Sequence, residues 1–267
     1  MQDPWAALAG PFVDGAYATV KGRVRTLVLH QQLLRHLPAP PARVLDVGGG
    51  AGHQSLPLAT LGYDVTIVDP SPTMLSKARE RLEAESADVR GRVGLVEAQG
   101  EEAPGLLGEA AFEAVLCHGV LMYVADPEPL VNALCRCATP GGVVSVMALN
   151  AQTLAVRPAL EGRWADALRA FDASGEVGVL GAATRGDTVD GLSRLMRGSG
   201  VTPLAWYGVW LFTDWLELPA EETDIDAVAA VELEASQRDP YRQLSRVFHL
   251  VGRRTTADVS CAQAEPA

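Results

Sequence analysis

Three glycines and one acid are the residues here whose spacing most directly implies chemistry. They lie in Arg43-Val-Leu-Asp-Val-Gly-Gly-Gly-Ala-Gly52 and in Asp64-Val-Thr-Ile-Val-Asp69. Val44, Leu45 and Val47 read as a strand buried on both faces, as parallel sheets require. Gly48, Gly50 and Gly52 then form a turn with no side chains in the way, so a ligand can lie against bare backbone, and Gly48, Gly49 and Gly50 stand three in a row. Asp69 ends the next apolar run. An acid at that strand tip can accept the hydroxyls of a bound ribose. A plain strand-to-helix turn needs fewer glycines, and an N-cap role for Asp69 is the alternative to ribose binding.

The glycine spacing is G-x-G-x-G, and His53 stands where the dinucleotide fingerprint G-x-G-x-x-G has its third glycine. That pattern resembles the first motif of class I S-adenosylmethionine (AdoMet)-dependent methyltransferases. AdoMet has no pyrophosphate to set on a helix N-terminus. The resemblance implies AdoMet as cofactor. A nicotinamide-dependent oxidoreductase on the same sheet and a non-catalytic nucleotide-binding module are the alternatives.

Other candidates lie where strands of such a sheet end. Gln99 follows the third strand, can both donate and accept, and sits where a polar side chain reaches an adenine amino group. His118 follows the fourth strand, at the ligand-collecting edge of a parallel sheet. In Lys21-Gly-Arg23-Val-Arg25, Arg25 is placed to grip a carboxylate in bidentate fashion. Arg238, Arg242 and Arg246 recur every fourth residue around Tyr241. On a helix they would share a face and form an anion pocket; if Arg246 starts a strand, they would not. Tyr241, Arg242 and Arg246 are the candidate substrate contacts.

The elements that must position these residues alternate regularly. A helix is expected at 23–37, a strand at 43–48, a helix at 54–61, a strand at 64–69 and a helix at 72–85. Ser71 is its N-cap and Pro72 its first turn. Strands at 92–97 and 112–117, a helix at 126–137, a Pro140-Gly-Gly turn and a strand at 143–149 follow. The expected fold is α/β: a Rossmann-like, seven-stranded, mostly parallel sheet with helices on both faces. Residues 151–186 break the rhythm and read as a small helical insertion over the ligand edge, with a loose glycine-rich stretch from Ser174 to Gly186. A helix at 188–198, strands at 201–212 and 246–252, and an acidic helix at 220–238 complete one domain over 1–254. Residues 255–267 read as a disordered tail.

Bulk composition narrows the function. The 267 residues are 48% hydrophobic and 21% charged, ordinary for a globular domain. Lys and Arg number 22 against 33 Asp and Glu, a net charge of −11, which does not favour a broad nucleic-acid face. No apolar run reaches ~18 residues, so no membrane partner is expected. The N-terminus lacks a secretory pattern. Cys117, Cys135, Cys137 and Cys261 have no metal-ligand spacing, so no metal and a reduced, cytoplasmic setting are expected. Oligomeric state is left open.

A narrower resemblance spans most of residues 1–254: to the bacterial tRNA methyltransferases that esterify the carboxymethoxy group of wobble uridine. It is carried by Met1-Gln-Asp, Tyr17-x-Thr19-x-Lys21-Gly22-x-x-Arg25, Gly48-Gly-Gly-x-Gly52, Asp69, Ala98-Gln99 and His118-x-Val-Leu with Val124-Ala-Asp-Pro127. It continues through Pro140-Gly-Gly-Val143, Asn150-Ala151, Asp239-Pro-Tyr241, Leu244-x-Arg246 and His249. The resemblance implies that Arg25, Gly48, Gly49, Asp69, Gln99 and His118 contact AdoMet. The chain departs from that family where a lysine cluster is expected, having Asp172-Ala-Ser-Gly-Glu-Val, and has Trp210 where the family carries arginine. Both changes remove positive charge from the RNA side. The acceptor is therefore either a small molecule or a tRNA wobble uridine, methylated on a carboxylate or hydroxyl oxygen. A carboxylate is already ionised at neutral pH and needs no base. For a hydroxyl, His118 or Tyr17 is the candidate base.

Overall fold

The computed structural model describes residues 15–178 and 181–256. Among these, α1 (Val20–Leu34) precedes β1 (Arg43–Val47), α2 (Ser55–Thr60), β2 (Asp64–Asp69), α3 (Pro72–Glu83), α4 (Ala87–Gly91) and β3 (Val93–Glu97). Then come α5 (Ala103–Leu107), β4 (Phe112–His118), α6 (Glu128–Cys137) and β5 (Ala138–Leu149). The insertion holds α7 (Val156–Leu160), α8 (Trp164–Ala170), β6 (Gly175–Val177) and β7 (Ala183–Arg185). The chain closes with α9 (Val189–Gly198), β8 (Val201–Val209), α10 (Ile225–Ala235) and β9 (Val247–Arg254).

Seven strands form one sheet in the order β3-β2-β1-β4-β5-β9-β8. The pairs from β3 to β5 are parallel, and β9 runs antiparallel to both β5 and β8. The strand order reverses between β1 and β4, which opens a crevice at their carboxyl ends. Alternation along β1 shows how the sequence makes two layers. Val44 packs with Leu33, Leu58, Leu75 and Ala78 of α1, α2 and α3 on one face. Leu45 and Val47 pack with Leu130, Leu134, Leu192 and Met196 of α6 and α9 on the other.

Several expected boundaries shift for identifiable reasons. Thr19 caps α1, its hydroxyl accepting from the Gly22 N–H at 3.0 Å, so the helix starts three residues before the expected 23. Ser71 caps α3 as expected. Asp224 caps α10 through the Ala227 N–H, which shortens the acidic helix expected at 220–238. β5 begins at Ala138 and carries the Pro140-Gly-Gly segment as an irregularity within the strand. The stretch Ser174–Gly186, read as loose, holds an antiparallel hairpin of β6 and β7, so the insertion is not purely helical. Gly175 makes that pairing possible: a Cβ there would stand 2.1 Å from the Thr184 carbonyl oxygen. The tail expected to be disordered lies outside the described residues from 257 onward, as does the Met1-Gln-Asp part of the resemblance.

Candidate functional site

The glycine turn forms one wall of a cavity in the crevice. Tyr17, Arg25, Gly48–Ala51, His53, Asp69, Met74, His118, Gly119, Val120 and Tyr123 line it. Gly48 has φ +68° and Gly50 φ +54°, the left-handed region open chiefly to glycine. A Cβ on Gly48 would come 2.2 Å from Val120 Cγ2. Asp69 is buried, and its carboxylate accepts the Gly50 N–H at 3.0 Å and the Ser71 N–H at 2.9 Å. The acid is thus held against the turn, inside the crevice.

Aromatic and basic side chains close the cavity. Tyr17 stacks on His53 with ring centroids 3.7 Å apart and planes 12° from parallel. The Arg25 guanidinium lies 5.0 Å from the Tyr17 ring centre and 5.6 Å from that of Trp210. Burial, with Arg81 and Arg25 nearby, pushes the His53 pKa down to about 3, so its imidazole is neutral. Burial beside Arg25 does the same to His118, again to about 3. Two polar atoms here are buried without a partner: Arg25 Nε and His118 Nδ1. A group carrying both acceptors and donors would satisfy them, and the bare glycine wall admits its bulk. The residues present therefore fit AdoMet: Asp69 for the ribose, Arg25 for the carboxylate, and the glycine turn for close contact.

Gln99 is exposed beyond the end of β3, and its backbone N–H donates to Glu102 Oε2 at 2.9 Å. Its side chain stands at the same edge of the sheet, outside the lining just described.

A second cavity, of about 340 Å³, adjoins the first and shares Tyr17, Arg25, Gly119 and Tyr123 with it. Lys21, Arg25, Arg157 and Arg246 line it, with Glu176 the one carboxylate among its lining residues. Met122, Met147, Leu149 and Trp210 supply an apolar wall. Behind it, the Asp214 side chain is fully buried. Lys21 Nζ and Arg157 Nη2 both donate to Asp214 Oδ1, and Arg246 Nε stands 3.9 Å from Oδ2. Arg246 also pairs with Glu176 and keeps Nη1 buried without a partner. Burial lowers the Lys21 pKa against the pull of Asp214. Burial, reinforced by Arg157, lowers that of Arg246 to about 10. Four cations against two carboxylates leave this cavity positive.

Trp210 sits over this arrangement with φ +58°, a strained conformation for a bulky residue. Its indole Nε1 donates to the Lys21 carbonyl at 3.0 Å, and Lys21 Nζ lies 4.5 Å from its ring centre. Strain of this kind gathers at working sites.

Of the expected substrate contacts, only Arg246 lines this cavity. The three arginines do not share a face, because a short 3-10 turn over Tyr241–Leu244 ends before β9 and Arg246 leads into that strand. Arg238 pairs with Glu234. Arg242 binds Asp239 and stacks 4.3 Å over Trp206. Tyr241 is half-exposed and packs edge-on to Phe212. Sequence reasoning missed Asp214, Arg157 and Glu176. None carries a spacing signal; each joins the site through an element distant in sequence.

The comparisons with known proteins agree with this geometry. Residues 45–146 match a family described as a methyltransferase domain. The chain is 28% identical over 251 residues to the tRNA 5-carboxymethoxyuridine methyltransferase of Escherichia coli K12, covering 92% of this chain and 94% of that protein. It is 37% identical over 148 residues to a ubiquinone biosynthesis O-methyltransferase of Xanthomonas oryzae pv. oryzae, covering 55% of this chain and 60% of that protein. Its fold is that of magnesium protoporphyrin IX methyltransferase from Synechocystis PCC 6803, solved with bound SAH, at TM-score 0.64 and 14% identity over 95% of this chain and 97% of that one. Among the described residues no helix is long and apolar enough to cross a membrane, and no group of His, Cys, Asp or Glu could hold a metal ion. With a methyltransferase domain over residues 45–146 and a seven-stranded Rossmann-like sheet that places a glycine turn beside Asp69, the chain is an S-adenosylmethionine-dependent methyltransferase.

Proposed function

We propose that this enzyme methylates a carboxylate oxygen, forming a methyl ester on a small acid held in the 340 Å³ cavity. One observation carries this reading: with Arg25 assigned to AdoMet, Lys21, Arg157 and Arg246 still outnumber Asp214 and Glu176, and Arg246 Nη1 is buried with no acceptor. A buried donor left without an acceptor is costly, and an anionic methyl acceptor removes that cost. The cavity falls in the size range of small-ligand sites, and Met122, Met147 and Trp210 offer an apolar surface for the rest of the molecule.

AdoMet supplies an electrophilic methyl group when bound. Gly48, Gly49, Gly50, Asp69, Arg25, His118 and Gln99 are the residues proposed to hold it. The protein's task is then alignment. Arg246 and Lys21 orient the carboxylate, while Tyr17 and Arg25, shared by both cavities, set the approach. Holding two reactants in line can contribute ~7–11 kcal/mol to a rate. A carboxylic acid of pKa ~4 is ionised at neutral pH, so neither His118 nor Tyr17 need act as base. We further propose a reducing, cytoplasmic setting, which the free thiols of Cys117, Cys135 and Cys137 support.

A second reading has a specific observation behind it. The Escherichia coli relative, similar along nearly the whole chain, is named for a carboxylate on a tRNA uridine. The insertion argues for the small acid instead: it exposes Trp164, Leu168, Phe171 and Val177. Its Arg163 and Arg169 are already paired with Glu161 and Asp166. Methyl-labelled AdoMet incubated with a metabolite extract and, separately, with total tRNA decides between them. Label in small molecules, released as methanol by mild base, is expected. Base-labile label in tRNA alone would establish the second reading, and base-stable label in either would sink the ester.

A further inference from the structure

Four hydrogen bonds run in series across the α1 face of the sheet. Gln32 Nε2 donates to the Gly208 carbonyl at 3.1 Å, and Gln32 Oε1 pairs with His249 Nδ1 at 2.9 Å. His249 Nε2 pairs with Ser145 Oγ at 2.7 Å, and Ser145 Oγ with His118 Nε2 at 2.8 Å. Gln32, Ser145 and His249 are wholly buried, at 0% exposure. They form a polar thread among apolar side chains, and each of the three finds its partners within the thread or at the Gly208 carbonyl.

One backbone group sets the direction of the whole series. A carbonyl only accepts, so Gly208 requires the amide nitrogen of Gln32 and turns Oε1 toward His249. Oε1 only accepts, so His249 must donate from Nδ1. Burial, with His118 and His36 nearby, holds the His249 pKa well below 6.5, so the ring is neutral and Nε2 is a lone pair. The Ser145 hydroxyl then donates to His249, and its oxygen accepts from His118 Nε2–H. The reverse order fails at the first link, where it would set the amide oxygen of Gln32 against the Gly208 carbonyl.

We propose that Gln32, Ser145 and His249 are positioning residues that lock His118 as its Nε2–H tautomer and leave Nδ1 as a hydrogen-bond acceptor for the bound cofactor. This rests on the reading that the glycine-walled cavity holds AdoMet. An acceptor at Nδ1 repels a carboxylate and takes a donor, either the ammonium or a ribose hydroxyl. Arg25, a donor only, takes the carboxylate. The buried, unpartnered state of Nδ1 is the vacancy this contact fills. A structural histidine would be satisfied within the protein on both nitrogens.

Nitrogen-15 NMR of the histidine rings in the free protein at neutral pH tests the tautomer directly. The expected spectrum has His118 protonated at Nε2 with Nδ1 bare, and His249 protonated at Nδ1. A proton on His118 Nδ1 in the free protein overturns the proposal. S-adenosylhomocysteine should then shift the Nδ1 signal. 5′-Deoxy-5′-methylthioadenosine, which keeps the ribose and lacks the ammonium, shifts it too only if a ribose hydroxyl is the donor. Saturation by S-adenosylhomocysteine, verified by calorimetry, with no movement of Nδ1 also overturns the proposal. Absence of calorimetric binding would instead sink the cofactor-site reading, while the free-protein spectrum still judges the tautomer. Ser145→Ala should mix the His118 tautomers and weaken S-adenosylhomocysteine binding about 10-fold, and Ser145→Thr, which keeps the hydroxyl, should restore both. Equal binding and one tautomer in all three proteins would count against the lock.

Discussion

The backbone N–H of Gly50 donates to Asp69 Oδ2 at 3.0 Å, which ties the turn after β1 to the acid ending β2. That bond sets the carboxylate before any ligand arrives, so little ordering cost remains for binding. Asp69→Asn should weaken AdoMet binding by roughly 10- to 100-fold, the worth of one hydrogen bond to a charged group. Gly48→Ala should also weaken it and lower stability by about 1–3 kcal/mol, because its Cβ would meet Val120 at 2.2 Å. Calorimetry and urea melts measure the two. Unchanged affinity in both variants would detach the turn from the cofactor.

Arg246 lines the second cavity but not the one walled by the glycine turn. Arg246→Gln should reduce kcat/KM for the acid about 100-fold, again the scale of a charged hydrogen bond, while the AdoMet dissociation constant stays within about 2-fold. Equal losses for acid and cofactor would mean the cavity has collapsed rather than lost an anion contact.

Tyr17 stacks on His53 through its ring, an interaction that survives removal of the hydroxyl. With a carboxylate acceptor, Tyr17→Phe should keep kcat within about 3-fold. Loss of a general base would cost about 10²–10⁴-fold. Steady-state rates at saturating substrates separate these outcomes, and the larger loss would point to a hydroxyl acceptor.

Acid should destabilise the fold. The pKa of His118 lies at about 3 and that of His249 well below 6.5, both through burial, so the unfolded chain binds these protons first. Their contribution is complete above about pH 6.5 and declines as the pH falls below it. Asp46 opposes them: burial raises its pKa from 3.8 to about 6, so the folded protein binds that proton first within this window. The buried histidines outnumber the aspartate, so stability falls between about pH 6 and 4. His53 acts in the same direction as the two histidines. Urea midpoints at pH 7, 6, 5 and 4 should fall in that order; a midpoint at pH 5 equal to or above that at pH 7 would contradict the assignment.

Residues 43–149 announced their architecture because local rules sufficed there. Alternating apolar strands, the Ser71 cap and the glycine turn each act over a few residues, and each specifies the same parallel sheet. The insertion was harder to read. Its hairpin depends on Gly175 facing Thr184, and its Arg157 and Glu176 pair with Asp214 and Arg246 elsewhere in the chain. The arginine repeat at 238, 242 and 246 misled for the same reason: spacing of four means a shared face only where the backbone is helical, and there the helix had already ended.

The amino-acid order alone determined the sheet, the glycine wall and the acid beside it, since these follow from steric freedom and burial within neighbouring segments. Tertiary structure alone decided the positive cavity and the orientation of His118. Asp214 gathers Lys21, Arg157 and Arg246 from three distant elements, and a carbonyl on β8 dictates a proton on β4. Charge balance and hydrogen-bond direction are properties of groups brought into contact through space, and no local pattern encodes which groups those will be.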